Sequence, residues 1–148
     1  MDIDFFCRMS EYSWLSNYYK CEQVVDGRIY PSNEHYYQSQ KANTKEKEDW
    51  ILSAKYPHEA RQRGKSLLPS EKKANWKEIK VDVMLKGLRA KFKNPELRAK
   101  LISTGDAILH EDSPTDMFWG KKGKDMLGKL IMKVRSEILI EDLFGEKV

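Results

Sequence analysis

The chain has 148 residues, 40% of them hydrophobic, which suits one folded domain with a core and is ordinary for a soluble globular protein. Its 27 basic and 23 acidic residues leave a net charge of +4, an excess that favours an anionic ligand without establishing nucleic-acid binding. Cys7 and Cys21 form no CxxC pair, and no uncharged run approaches a signal-peptide stretch or the roughly 20 residues of a membrane span. We therefore expect a cytoplasmic protein with reduced thiols and no membrane partner.

The first third of the chain predicts short strands. Residues 4–7 form a candidate strand, and the segment CEQVVDGRIY (21–30) is a candidate hairpin. Asp26 and Gly27 lie at its centre, where a tight turn requires residues that tolerate a left-handed backbone. Ser32 or Asn33 can then cap a helix.

Helices dominate the rest of the chain. Hydrophobic spacing and Pro and Gly punctuation predict helices over 45–55, 57–64, 71–92, 95–105 and 125–144, a short strand over 107–112 and a loop over 113–124. The last helix carries one broad apolar face, formed by Met126, Leu127, Leu130, Ile131, Val134 and Ile138. We therefore predict an α+β fold, a helix-dominated single domain over residues 1–148 with a small β-sheet.

The segment PSNEHYYQSQK (31–41) predicts a helix that contains no aliphatic residue. Soluble helices normally stay in place by burying an apolar stripe. Glu34, Gln38 and Lys41 fall on one face of this helix at helical spacing. That face is either solvated, with two Tyr rings packed behind it, or the wall of a polar pocket in which a fixed carboxylate stabilises positive charge.

The loop SPTDMFWGKKGK (113–124) is the second candidate site. Asp116 lies three residues before Trp119, and the two aromatic residues at 118 and 119 either plug the core or bind a flat ligand. Gly120, Lys121 and the following basic residues lead into a helix start, an arrangement that can receive phosphate although it lacks P-loop spacing. The three His residues are scattered without ligand spacing, so we expect no metal site.

A series of short motifs runs in order through nearly the whole chain: LSN (15–17), PSNEHYYQSQK (31–41), AKYPHEARQRGK (54–65), NWKEIKVDVM (75–84), AKF (90–92), LISTGDAILHE (101–111), DMFWG (116–120) and DMLGKLIMKVR (125–135). Together they resemble the YbiA-like, or NADAR, domain family. Members of that family are N-glycosidases that cleave a bond between ribose C1′ and nitrogen. Their substrate classes are phosphoribosylamino-pyrimidine intermediates of riboflavin synthesis and ADP-ribose on guanine in nucleic acid. The resemblance implies a YbiA-like fold, a small-molecule ribosylated or nucleotide substrate or ADP-ribosylated DNA or RNA, no cofactor and no obligate protein partner. A non-catalytic module that binds ADP-ribose or nucleotides is the alternative.

By this resemblance, Glu34, Trp76, Asp116 and Trp119 fall on active-site positions, and Lys41 matches a lysine proposed to engage the sugar carbon covalently. Cleavage of a C–N glycosidic bond places positive charge on the ribose ring, which Glu34 or Asp116 would stabilise, or either would activate a water. Lys41 has two alternative roles. It attacks C1′ of the ring-opened sugar and forms a Schiff base, which requires a neutral amine, or it forms an ion pair that only orients Glu34. The prediction requires the charged side of the helix and the Asp–Trp loop to share a cavity.

We expect further side chains to contact the substrate, either by stacking, by lining the pocket or by holding phosphate: Tyr37, Gln38, Arg63, Lys65, Gly120 and Lys121. The chain departs from the family pattern at two positions. Lys65 stands where Arg usually follows Gly64, which keeps the charge but loses bidentate phosphate binding. Asp125 stands in place of a common Asn and adds negative charge near the expected phosphate end.

Overall fold

The computed structural model describes residues 1–7 and 10–145. It contains two compact units, one formed by Asn17–Lys91 and the other by Met1–Ser16 together with Phe92–Val148. None of the helices in the described residues is both long enough and apolar enough to cross a membrane.

The regular elements follow one another in this order: β1 (Asp2–Phe5), β2 (Lys20–Val25), β3 (Arg28–Ser32), α1 (Asn33–Ser39), α2 (Lys45–Leu52), α3 (Pro57–Ser66), α4 (Trp76–Lys91), α5 (Pro95–Ser103), β4 (Ile108–Glu111) and α6 (Met126–Phe144). Short 3₁₀ helices lie at Ser13–Leu15 and Pro69–Glu71. The predicted helix-dominated α+β fold is confirmed. Some details differ from the prediction. The first strand covers Asp2–Phe5 rather than residues 4–7, the helix predicted over 45–55 ends at Leu52, and the helix predicted over 71–92 begins at Trp76. Within the described residues, the β-structure forms two two-stranded sheets rather than one.

The hairpin of the Asn17–Lys91 unit forms where the sequence predicts it. Strands β2 and β3 are antiparallel, with Val24 opposite Ile29 and Val25 opposite Arg28. Asp26 and Gly27 have φ values of 51° and 78°, the left-handed conformation that a two-residue hairpin turn requires at both central positions.

Hydrogen bonds to residues before and after it in the sequence hold helix α1 in place. Ser32 caps it by accepting a hydrogen bond from the His35 amide at 3.1 Å, and His35 Nε2 bonds the Ala54 carbonyl at 2.8 Å. All seven residues of α1 are buried. The alternative of a solvated polar face is therefore wrong, because this helix replaces the usual apolar stripe with buried polar side chains, most of which form hydrogen bonds.

Further polar contacts join α1 to β2 and α4. Asn33 donates to Asn17 Oδ1 at 2.8 Å and accepts from Gln23 Nε2 at 2.9 Å. A Cβ at Gly87 of α4 would lie 2.3 Å from Asn33 Oδ1, so glycine is what allows α4 to approach this closely. The polar helix is thereby fixed within its unit.

The second unit is organised around α6 and a parallel strand pair. Strand β1 pairs with β4 from Asp2 opposite Ile108 to Phe5 opposite Glu111. The expected apolar face of α6 is buried at Leu127, Leu130, Ile131, Val134 and Ile138, whereas Met126 is only half-buried. A Cβ at Gly128 would lie 1.9 Å from the Leu109 carbonyl oxygen, which shows how closely α6 packs on β4.

Candidate active site

Glu34 is a buried carboxylate held by its own helix. It is 6% exposed and Gln38, one turn later, is 4% exposed. Gln38 Nε2 donates to Glu34 Oε2 at 2.7 Å, and the Glu34 amide donates to the Asn17 carbonyl at 3.0 Å. A carboxylate in a fixed position with an anchored backbone is suited to stabilising a developing positive charge.

Lys41 follows at the end of the same helix and is half-buried. Burial lowers the pKa of Lys41 to about 8; the Glu34 carboxylate opposes this change, and the positive charges of Lys72, Arg61 and Lys65 reinforce it. An amine with this pKa is about one-tenth neutral at pH 7, far more than an ordinary lysine. Lys41 thus has the electrostatic surroundings of a nucleophilic or base lysine.

Two of the cations near Lys41, Arg61 and Lys72, are not among the residues predicted from the sequence. Lys72 forms an isolated bridge with Ala42, and the Lys73 amide donates to the Lys41 carbonyl at 2.9 Å. Arg61 precedes Gly64 of α3 by three positions and shares its side of the helix. Helical spacing from the Gly64–Lys65 motif was the signal that would have found Arg61.

Arg63 contacts the end of α2. Its Nη1 donates to the Trp50 carbonyl at 2.5 Å and to Ser53 Oγ at 3.0 Å, and its guanidinium lies 5.2 Å from the centre of the Trp50 ring. These contacts hold the C-terminal end of α2. They give Arg63 a structural role and do not favour its predicted role in phosphate binding.

Tyr37 and Trp76 form an aromatic pair beside Lys41. Their ring centres are 5.2 Å apart at 56°, and Lys41 Nζ lies 5.6 Å from the Tyr37 ring centre. Tyr37 is 5% exposed and Trp76 is 6% exposed. The pair therefore packs as a wall, with little ring surface open for a flat ligand.

The predicted Asp–Trp loop lies in the other unit and forms a tight turn. Asp116 Oδ1 accepts hydrogen bonds from the amides of Phe118 at 3.0 Å and Trp119 at 2.8 Å. Trp119 is half-buried, and its ring meets that of Phe118 edge to face with centres 4.7 Å apart. Gly120 is buried, and a Cβ there would lie 2.5 Å from the Asp116 carbonyl oxygen. The close approach of the Asp116 backbone therefore explains why residue 120 is a glycine.

Lys121 is paired with acidic residues. Its Nζ lies 2.7 Å from Asp4 Oδ2 and 3.8 Å from Asp112 Oδ1. The hydrogen bond with Asp4 raises the pKa of Lys121. These carboxylates already balance its charge, which does not favour the predicted phosphate contact.

Asp125, the departure from the family pattern, joins a second charged cluster in this unit. Its Oδ2 lies 2.5 Å from His110 Nδ1, and Asp2 Oδ2 lies 3.3 Å from His110 Nε2. The hydrogen bond with Asp125 raises the pKa of His110, against the opposing effect of burial. Among residues 1–7 and 10–145, no group of three or more His, Cys, Asp or Glu side chains could hold a metal ion.

The chain is similar in sequence and in structure to known proteins. The NADAR domain family model matches residues 5–139. The chain is 37% identical over 144 residues to the N-glycosidase YbiA of Escherichia coli strain K12, covering 94% of this chain and 89% of that protein. It is 34% identical over 141 residues to a riboflavin biosynthesis protein of Vibrio vulnificus, covering 92% of this chain and 38% of that protein. The NMR structure of Escherichia coli YbiA matches with a TM-score of 0.87 at 36% identity, covering 97% of this chain and 90% of that one.

Proposed function

We propose that this chain, which belongs to the NADAR domain family and is an N-glycosyl hydrolase, cleaves the bond between C1′ of a phosphorylated ribose and the nitrogen of a pyrimidine intermediate of riboflavin synthesis. The names of its relatives support a small-molecule, nucleotide-type substrate. The name of the Vibrio vulnificus relative supports the riboflavin-related class in particular.

One observation carries the proposal: a buried, hydrogen-bonded carboxylate lies in α1, and a lysine of lowered pKa lies two residues beyond the end of that helix. Glu34 is 6% exposed, and the pKa of Lys41 is lowered to about 8. Cleavage of the C1′–N bond leaves positive charge on the ribose ring. A fixed carboxylate stabilises that charge or takes a proton from the attacking water.

Lys41 supports a covalent version of the reaction. Its neutral amine attacks C1′, and the C1′–N electron pair leaves with the departing base, which takes up the proton that the amine loses. The ring then opens: the C1′–O bond breaks, the ring oxygen takes up a proton, and a Schiff base joins Lys41 to C1′. Water hydrolyses this Schiff base, which releases the sugar and restores the amine. In the non-covalent version, water attacks C1′ and Lys41 orients Glu34 by its charge. The lowered pKa favours the covalent version because it supplies the neutral amine at moderate pH.

The cations Arg61, Lys65 and Lys72 support a phosphorylated sugar. All three lower the pKa of Lys41 by their positive charge, so they lie close enough to act on an anion there. A bound phosphate would offset these charges. Arg61 is the only one of the three with a guanidinium, the group suited to bidentate phosphate contact.

Asp116 and Trp119 remain predictions based on the family resemblance. The Asp116 carboxylate fixes the loop backbone through its Oδ1 atom. We propose that this turn sets the orientation of the half-buried Trp119 ring, which stacks on the leaving base.

The test is a substrate panel. It contains phosphoribosylamino-pyrimidines, ADP-ribosylated guanine in a DNA oligonucleotide, and ADP-ribose, and released base and sugar are measured by mass spectrometry. We expect release only from the phosphoribosylamino-pyrimidines and none from Glu34→Gln. Release from the oligonucleotide alone would replace the substrate class, and binding of a substrate without release would favour the non-catalytic module.

The matched control is Glu46→Gln. Glu46 also stands in the first turn of a helix, α2, but it is exposed. We expect it to keep wild-type turnover. Circular dichroism and thermal melting of both variants must match wild type, because a loss of turnover in an unfolded Glu34→Gln variant carries no mechanistic information.

A further inference from the structure

The Gln38 amide fills the space between a carboxylate and a glycine. Its Nε2 donates to Glu34 Oε2 at 2.7 Å. On its other side, a Cβ at Gly64 of α3 would lie 2.1 Å from Gln38 Oε1 and 3.0 Å from its Cδ. We propose that Gln38 is a positioning residue, which fixes the Glu34 carboxylate for the reaction, and that Gly64 provides the room this requires. The inference rests on the proposed function, since it assigns Glu34 a place in the chemistry.

The Glu34 carboxylate determines the orientation of the Gln38 amide. Glu34 in its ionised form only accepts hydrogen bonds, so the amide nitrogen must face it. Gln38 Oε1 then lies against Gly64, and this buried atom has no hydrogen-bond partner among the described residues. A buried acceptor without a partner is unfavourable. An apolar side chain of similar length would avoid that cost but would lose the donor to Glu34.

Helix α3 contributes backbone rather than a side chain at this point. Gly64 is buried, and its hypothetical Cβ would also lie 3.1 Å from Gln38 Cβ. Any side chain at residue 64 would therefore displace the amide from the carboxylate. This assigns Gly64 a role different from the phosphate contact that its neighbour Lys65 suggests.

Cationic side chains act on this part of the molecule. Lys41 interacts electrostatically with Glu34, and Arg61, Lys65 and Lys72 interact with Lys41. The interaction between Lys41 and the Glu34 carboxylate is present whichever residue stands at 38. Removal of the Gln38 donor is therefore a graded change, since it leaves the other stabilising charges in place.

The decisive experiment compares Gln38→Met, Gln38→Glu and the control Gln62→Met, whose side chain is exposed on α3. Gln38→Met keeps the length without a donor. We expect its kcat to fall on the order of 10- to 100-fold with little change in KM, the cost of a lost hydrogen bond to a charged group. Gln62→Met should match wild type.

The variant Gln38→Glu should recover activity when the pH is low enough to protonate one of the two carboxylates. Two adjacent carboxylates share a proton as pH falls, and the protonated one can donate to the other. Relative to wild type, the activity of Gln38→Glu should therefore rise as pH is lowered, whereas that of Gln38→Met should not. A merely structural role for Gln38 predicts no such difference between the two variants.

A measurement without turnover separates this inference from the proposed function. The carboxyl carbon of Glu34 is followed by NMR in protein labelled with ¹³C-glutamate and is assigned as the signal missing from Glu34→Gln. Its titration midpoint should lie at higher pH in Gln38→Met than in wild type, because the donor favours the ionised form. An unchanged midpoint overturns the inference. A wild-type protein that releases base from none of the ribosylated substrates would instead overturn the proposed function.

Discussion

Gly64 faces the Gln38 side chain so closely that a Cβ at residue 64 would lie 2.1 Å from Gln38 Oε1. Replacement of a helical glycine by alanine normally stabilises a helix by about 1 kcal/mol. Here we expect the opposite sign, because the added methyl overpacks a buried contact at a cost of about 1–3 kcal/mol. Chemical denaturation of Gly64→Ala measures this, with Gln62→Ala as the exposed control on the same helix. A stabilised Gly64→Ala variant would show that the amide moves aside freely.

Lys41 predicts covalent trapping that depends on pH. Burial lowers the pKa of Lys41 to about 8, so the neutral amine increases through that region and is complete above it. Borohydride reduction during turnover should attach the sugar to Lys41, with a rate that rises up to about pH 8–9 and then levels off. Peptide mass spectrometry locates the adduct, and exposed lysines such as Lys45 serve as internal controls. If the enzyme is active but no sugar adduct forms on Lys41, the alternative in which Lys41 only orients Glu34 would be favoured.

The elements that the sequence predicts well depend on neighbours along the chain. Caps, the Asp26-Gly27 turn and the apolar spacing of α6 are local signals, and their predictions hold to within a few residues. The burial of α1 is not local, because Asn33 and His35 bond residues as distant in sequence as Asn17 and Ala54. No periodicity in residues 33–39 carries that information.

Long-range contacts also explain the less accurate parts of the candidate site. Lys121 pairs with Asp4, which lies 117 positions away, so its sequence surroundings gave no sign that its charge is balanced. Arg61 and Arg63 both lie in the basic stretch of α3. The close approach of Gly64 to Gln38 brings the Gly64 side of α3 toward α1, and Arg61 shares that side of the helix. Residue type identified the chemistry, whereas packing determines which cation takes part.

We expect Trp119→Ala to weaken substrate binding by more than its effect on stability explains. Its half-buried ring meets Phe118 edge to face at 4.7 Å, so Trp119→Ala should lower stability to some extent. Stacking on a planar base contributes roughly 1–3 kcal/mol, so we expect the substrate Kd to rise about 5- to 150-fold. Calorimetric titration of the Glu34→Gln protein, which does not turn over, measures it. Met117→Ala, 60% exposed in the same loop, is the control. Unaltered affinity with a lowered Tm would support a core-filling role.

His110 predicts a pH-dependent contribution to stability. The hydrogen bond with Asp125 raises the pKa of His110, so the pair stabilises the fold below the unfolded-state value of about 6.5 and loses this effect as pH rises through the folded pKa. Asp125→Asn should therefore lower stability at pH 5.5 and have little effect at pH 8.5. Asn tolerates the left-handed backbone at this position, φ 56°. Titration of the His110 ring by NMR should show a lower pKa, and Asp2→Asn, which removes the longer contact of 3.3 Å, should show a smaller change. Equal effects at both pH values would contradict the assignment.

Lys91 predicts a stabilising substitution. It is 3% exposed in α4, and burial lowers its pKa to about 7. The unfolded state therefore binds this proton more tightly, and stability rises with pH between about 7 and 10.5. Lys91→Met should raise the free energy of unfolding at pH 7, because it removes the ammonium whose proton the unfolded state binds more tightly and keeps the packing volume. The gain should shrink as pH is raised toward 10, and the exposed Lys93→Met should show neither effect. A gain that stays constant across this pH range would mean that hydrophobic burial, rather than removal of a buried ammonium, produces it.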